Sequence, residues 1–306
     1  MELADKIHAY YLHNFSELPV DKQFHYASRL SSWNDDEQCQ KYLDELRTNI
    51  IPENKPVTDF LKDIIENLPN NVMNAAEARA PYFAKYPDVR GLMLALFRVR
   101  HMLYIYNVDA RRELVAIKPY DELHGLAVKL SQDEDALRIL STYAINYIYL
   151  VEHILFDVHS GVINIESMYK LGDIYKIENK DQILLLIYLY THCIIGESNF
   201  YERGVLPDRK QVYIKMLDYM EDLISQNYEN INLDNKLEFL VCCRILNFNS
   251  KLFDKIYDEC LQSISTNGTF LVDTINKAGQ TKKTSFADSE HRNVLFIMST
   301  TPYTKS

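Results

Sequence analysis

Three stretches of this chain carry residue types at spacings that chemistry uses. The first is ADSEHRNVLFIM, Ala287–Met298, where Glu290 and His291 run into five apolar residues. Ser285 with Asp288, and Ser289, are helix-start signals, and an acid such as Glu290 suits the positive end of the macrodipole. The same dipole disfavours a charged His291 or Arg292. A histidine in that place is held neutral and can serve as a base or a donor. Capping therefore accounts for Ser289 and Glu290 but not for His291.

The second stretch is YTHCIIGESNFYERGVLPD, where His192 and Cys193 end an apolar helix and a polar loop follows. A buried helix opening into such a loop builds a pocket wall, with Tyr188, Tyr201 and Arg203 as binding groups beside His192. The plainer reading is a histidine answering the unpaired carbonyls of a helix C-terminus. The third stretch is VEHILFDVHSG, with His153 and Asp157 four apart on one helical face. The pair could orient an imidazole, but a metal centre needs more ligands than these two supply. Cys242 and Cys243, with His192 and Cys193, raise zinc as an alternative. Adjacent cysteines on a helix point about 100° apart, so buried thiols are the better reading and no metal ligand is assigned.

These groups need elements to hold them, and the composition selects helices. Only eight glycines occur in 306 residues, none before Gly91, and alternating β-branched runs are few. Prolines such as Pro19, Pro56, Pro69, Pro119 and Pro207 punctuate apolar-periodic segments. In PVTDFLKDIIENL, Val57, Phe60, Leu61, Ile64, Ile65 and Leu68 form one stripe while Lys62, Asp63 and Glu66 face water. The pattern predicts helices near 2–15, 20–32, 34–48, 56–68, 70–80, 88–106, 109–117, 120–130, 132–158, 165–175, 180–195, 208–227, 231–247, 249–264 and 289–299. One short β-hairpin is expected at 266–275, from its Asn-Gly turn. The class is all-α: antiparallel helix pairs, stacked as a superhelix or closed as an α/α toroid, in one domain with a soft division near 107–120.

A net charge of −10 and the absence of a basic run argue against nucleic-acid binding. The most apolar segments, 139–158 and 183–195, are interrupted by polar groups or too short to span a bilayer. Five cysteines form no disulfide framework and suit a reducing cytoplasm. No phosphate loop, HExxH, GxSxG or CxxC motif occurs.

The run IYLYTHCI, the late NGTF and the terminal EHRN resemble segments of uncharacterised bacterial helical domains and, more distantly, of α/α-toroid proteins. The resemblance covers about the last third of the chain. It implies a central cavity lined by His192 and His291. Two functions follow as expectations. One is a cytoplasmic helical binding or scaffold protein that recognises a protein or peptide through an acidic, Tyr-rich surface without a cofactor. The other is a toroid enzyme, or a protein derived from one, with His192, Glu290 and His291 catalytic and Arg292 beside them.

Overall fold

The computed structural model describes residues 2–68, 77–156, 161–175, 177, 179–273 and 285–305. Among them the regular elements are helices and no strand forms, so the class is all-α. Two compact units divide the chain: Met1–Leu46 with Glu178–Ser306, and Arg47–Ile177. The stretch 107–120, where the sequence suggests a soft division, runs inside the second unit.

The first unit opens with α1 (Glu2–His13), α2 (Val20–Asn34) and α3 (Glu37–Glu45). The second unit holds α4 (Arg47–Ile50), α5 (Val57–Glu66), α6 (Ala80–Lys85), α7 (Val89–Tyr106), α8 (Arg111–Ile117), α9 (Tyr120–Ser131), α10 (Glu134–Leu140), α11 (Thr142–Leu155) and α12 (Ile165–Lys170). The chain then returns to the first unit with α13 (Lys180–Glu197), α14 (Lys210–Gln226), α15 (Leu233–Leu246), α16 (Phe253–Gln262) and α17 (Glu290–Thr300).

In the second unit α7 packs against α5 and α11, and α9 also covers α11. Gly91 makes the first of these contacts possible. A Cβ at that position would lie 2.5 Å from the Ile65 carbonyl oxygen, so α5 and α7 meet backbone to backbone. Tyr147, buried on α11, donates its hydroxyl to the Leu123 carbonyl at 2.9 Å and ties in α9. The single helix expected over 132–158 is two, because Ser141 breaks it with φ 49° and ψ −111°. Serine is no helix breaker by itself, so the sequence carries no signal for that break. The helix expected at 34–48 likewise divides, around Leu46, into α3 and α4. Most of that expected at 70–80 lies outside the described residues.

In the first unit α17 is the central helix, packed against α1, α2 and α15. Val294, Leu295, Phe296, Ile297 and Met298 are all buried, Phe296 as fully as the rest. A helix that is apolar all round belongs in a core. The expected hairpin is smaller than the pattern suggests: an isolated antiparallel bridge joins Ile264 to Leu271. Val272 N–H donates to the Ser263 carbonyl and Ser265 N–H to the Phe270 carbonyl, each at 2.7 Å. The turn uses Gly268 at φ 76°, a left-handed value that suits glycine. Positions 274 and 275 of that hairpin lie outside the described residues. Asn293 on α17 pins this segment, taking the Leu271 N–H at 2.8 Å and donating to the Leu271 carbonyl at 3.1 Å.

Candidate active-site cluster of the first unit

The residues with most chemical potential lie where α2 meets the first turn of α17. Pro19 opens α2 with φ −55° and ψ 148°, an extended residue before a helix that its ring pre-organises. Phe24, Ala27 and Leu30 then face the core. Lys22, His25 and Arg29, at steps of three and four, share another face. That face meets Glu290.

Glu290 is wholly buried. Its Oε1 lies 2.7 Å from His25 Nδ1, and its Oε2 lies 3.6 Å from Lys22 Nζ. A carboxylate in a helix first turn is also favoured by the macrodipole. The His25 side chain keeps 31% of its surface exposed. Among the described residues its Nε2 makes no hydrogen bond, so a solvent-accessible imidazole is fixed from behind by a buried carboxylate. The His291 ring is 5.4 Å from that of His25, tilted by 49°, and is half-buried. Burial is the main force lowering the His25 pKa, with Arg29 and Lys22 adding to it and Glu290 opposing. His291 falls well below the ordinary histidine value, first through burial and then through Arg29, His25, Lys22 and Arg292. Both rings are therefore neutral near pH 7, the state the sequence assigns to His291.

Arg29 continues the face. Its guanidinium lies 5.8 Å from the centre of the Tyr201 ring, and its buried Nη1 has no hydrogen-bond acceptor among the described residues. Tyr201 is held there by an unusual turn. Asn199, Phe200 and Tyr201 adopt φ values of 50°, 54° and 79°, three successive left-handed residues without a glycine. Such residues cost on the order of 1–3 kcal/mol each, and the surroundings must enforce them. Here Phe200 N–H donates to the Ile195 carbonyl at 2.9 Å, and Tyr201 N–H donates to Ser198 Oγ at 3.1 Å. Behind the turn, buried Glu197 accepts from Tyr213 at 2.9 Å and from Arg209 at 3.0 Å. Tyr201 then packs edge-on against Trp33 of α2 at 5.9 Å.

Of the other expected site residues, His192 of α13 is 18% exposed and has a different carboxylate, Glu238 of α15, at 3.4 Å. Tyr188 lies beside it with ring centres 6.4 Å apart. Glu290 and His291 thus come together with His25, while the contact recorded for His192 is with Glu238. Arg292 is buried and grips Asp234 of α15 through both carboxylate oxygens, at 2.9 and 3.1 Å, an arrangement that docks α17. Arg203 staples its own turn: its N–H donates to the Ser198 carbonyl at 3.0 Å, and its carbonyl accepts from Tyr303 at 2.7 Å. His153 is buried in the second unit against Tyr149, rings 5.9 Å apart. Asp157 lies outside the described residues.

Among the described residues no three His, Cys, Asp or Glu side chains gather as metal ligands. All five cysteines are buried thiols, and burial raises the pKa of Cys242 and Cys243. No described helix is long and apolar enough to cross a membrane. His25, Lys22 and Arg29 are the group that sequence reasoning misses. Their shared face is legible as a cationic stripe, but its acid lies 265 residues away. The chain matches no family model, no curated protein and no solved structure.

Proposed function

We propose that this chain is a cytoplasmic α-helical binding protein that engages a protein or peptide partner, and that the α2–α17 face of its first unit is the contact. The observation that supports this is unused hydrogen-bonding capacity at one place. Arg29 Nη1 is buried with no acceptor, and His25 Nε2 and the His291 ring make no hydrogen bond among the described residues. A buried guanidinium nitrogen without an acceptor is costly, and a ligand that supplies one recovers that cost. Selection from a displayed peptide library, counter-selected on Arg29→Gln and His291→Gln, tests the reading. Peptides that hold the wild-type chain and neither variant support it. Equal binding to all three removes the face from the interaction.

A second reading is an enzyme, and one observation favours it. With Glu290 on Nδ1, neutral His25 turns the Nε2 lone pair outward, the arrangement of a general base. Turnover of an activated ester that disappears in His25→Gln while peptide binding persists would select the enzyme.

A further inference from the structure

We propose that the α2–α17 face is a site for a phosphate-type tetrahedral oxyanion, which it binds together with one proton on His25. The proposal deepens the binding reading above by naming the chemical group that a partner presents.

It follows from where the protons are. Glu290 Oε1, 2.7 Å from His25 Nδ1, is an acceptor only, so the ring's N–H points at Glu290 and its lone pair points outward at Nε2. An oxyanion cannot lie against a lone pair. It can lie there if a proton stands between them, carried in by the anion or taken from solvent. Every charge facing His25 bears on that proton. From α17, Glu290 favours it, while Arg292 is neutralised by Asp234 of α15. From α2, Lys22 and Arg29 oppose it. From α1, Tyr11 faces the same carboxylate as a neutral phenol, its hydroxyl donated to the Phe286 carbonyl at 3.1 Å and its pKa raised by burial and by Glu290. Burial comes first in holding His25 neutral, and the two cations Arg29 and Lys22 add to it. An anion placed among them cancels their opposition, so anion and proton enter as a pair.

The number of donors on this face favours a tetrahedral anion over a carboxylate. Arg29 offers a guanidinium nitrogen with no acceptor among the described residues, above a Tyr201 ring that the left-handed turn fixes. His25 offers Nε2–H once protonated, and His291 offers a second imidazole 5.4 Å away, ring centre to ring centre. Three donors spread over two helices match oxygens disposed in three directions better than the two coplanar oxygens of a carboxylate. The charge of Glu290, which would repel an anion, is offset by Lys22, whose Nζ lies 3.6 Å from Oε2.

The test is calorimetric titration of the full chain with sodium sulfate and, separately, inorganic phosphate. Sulfate carries no proton near neutrality, so its affinity should rise about tenfold from about pH 8 to about pH 7 as one proton is taken up. Repeating the sulfate titration in two buffers of different ionisation enthalpy counts that proton directly, and needs no variant. Arg29→Gln should lose both anions at least tenfold, and His25→Gln should keep weak binding with a flat pH profile. Sulfate binding without proton uptake, or anion affinity unchanged in Arg29→Gln, overturns the proposal, as does the absence of any anion heat. If peptides selected on the wild-type face are not displaced by phosphate, this inference fails and the partner reading stands. If the anions bind as described and no peptide is selected, the partner reading fails and the site stands.

Discussion

Replacing His291 with glutamine should remove a pH-dependent weakness rather than a contact. The folded protein holds this imidazole neutral, through burial and four neighbouring cationic or ring groups, while the unfolded chain leaves it ordinary. As pH falls through about 6.5, the unfolded state takes up a proton that the folded state refuses. Stability from this group is therefore complete above that value and is lost below it. Between about pH 7.5 and about pH 5.5 the wild-type chain should lose roughly 1.4 kcal/mol on account of His291 alone. Glutamine keeps the size and polarity of the ring and cannot titrate. His25 pulls in the same direction, more weakly because Glu290 opposes its shift, and it is present in both proteins. Urea unfolding at the two pH values should show wild type losing about 1.4 kcal/mol more than His291→Gln. Equal losses would mean that the ring protonates in place, and the account of a neutral His291 at the helix start would be refuted.

Asn293→Ala should cost about 2–4 kcal/mol in denaturant unfolding, since it strands the buried N–H and C=O of Leu271 together. Gly91→Ala should lower the melting temperature. The gain of roughly 1 kcal/mol in helix propensity is outweighed by a Cβ placed 2.5 Å from the Ile65 carbonyl oxygen, an overpacking worth about 1–3 kcal/mol before backbone strain. Asp36→Ala should cost about 1 kcal/mol at neutral pH, because Asp36 caps α3 by accepting from Cys39 N–H. Burial works against the Asp36 carboxylate, but His8 and that N–H bring its pKa down to about 2. Its contribution should therefore be whole above about pH 4 and fade as acid titration approaches that lower value.

Helices were legible where apolar periodicity was long and capped. The segment PVTDFLKDIIENL gives α5 almost to the residue, with Pro56 at its start. Breaks that depend on tertiary demand were not. Ser141 takes a positive φ of 49° between α10 and α11, and no local residue announces it. The site was half legible. Glu290 and His291 stand out because a helix start wants one and not the other. Their companion His25 is an ordinary histidine on an amphipathic helix until α2 is laid against α17. Tyr201 was recognisable as a loop aromatic, but not the left-handed turn that aims it, since Asn199, Phe200 and Tyr201 include no glycine to mark it.

The four residues Glu290 to Asn293 show how structure and function share one turn. Successive helical residues point about 100° apart, so each meets a different neighbour. Glu290 turns to α2 and takes His25 and Lys22. Arg292 turns to α15 and takes Asp234. Asn293 turns to the 263–272 segment and holds Leu271. Together the three fix the rotation of α17 about its axis, a specificity its apolar remainder could not supply, because Val294 to Met298 are buried on every side and would pack almost as well after a turn. His291 is the one member of the run that docks nothing. It makes no hydrogen bond among the described residues, and its nearest ring partner is the imidazole whose outer nitrogen is also unengaged. Three polar residues are explained by the fold. The fourth is the residue that the proposed oxyanion would engage.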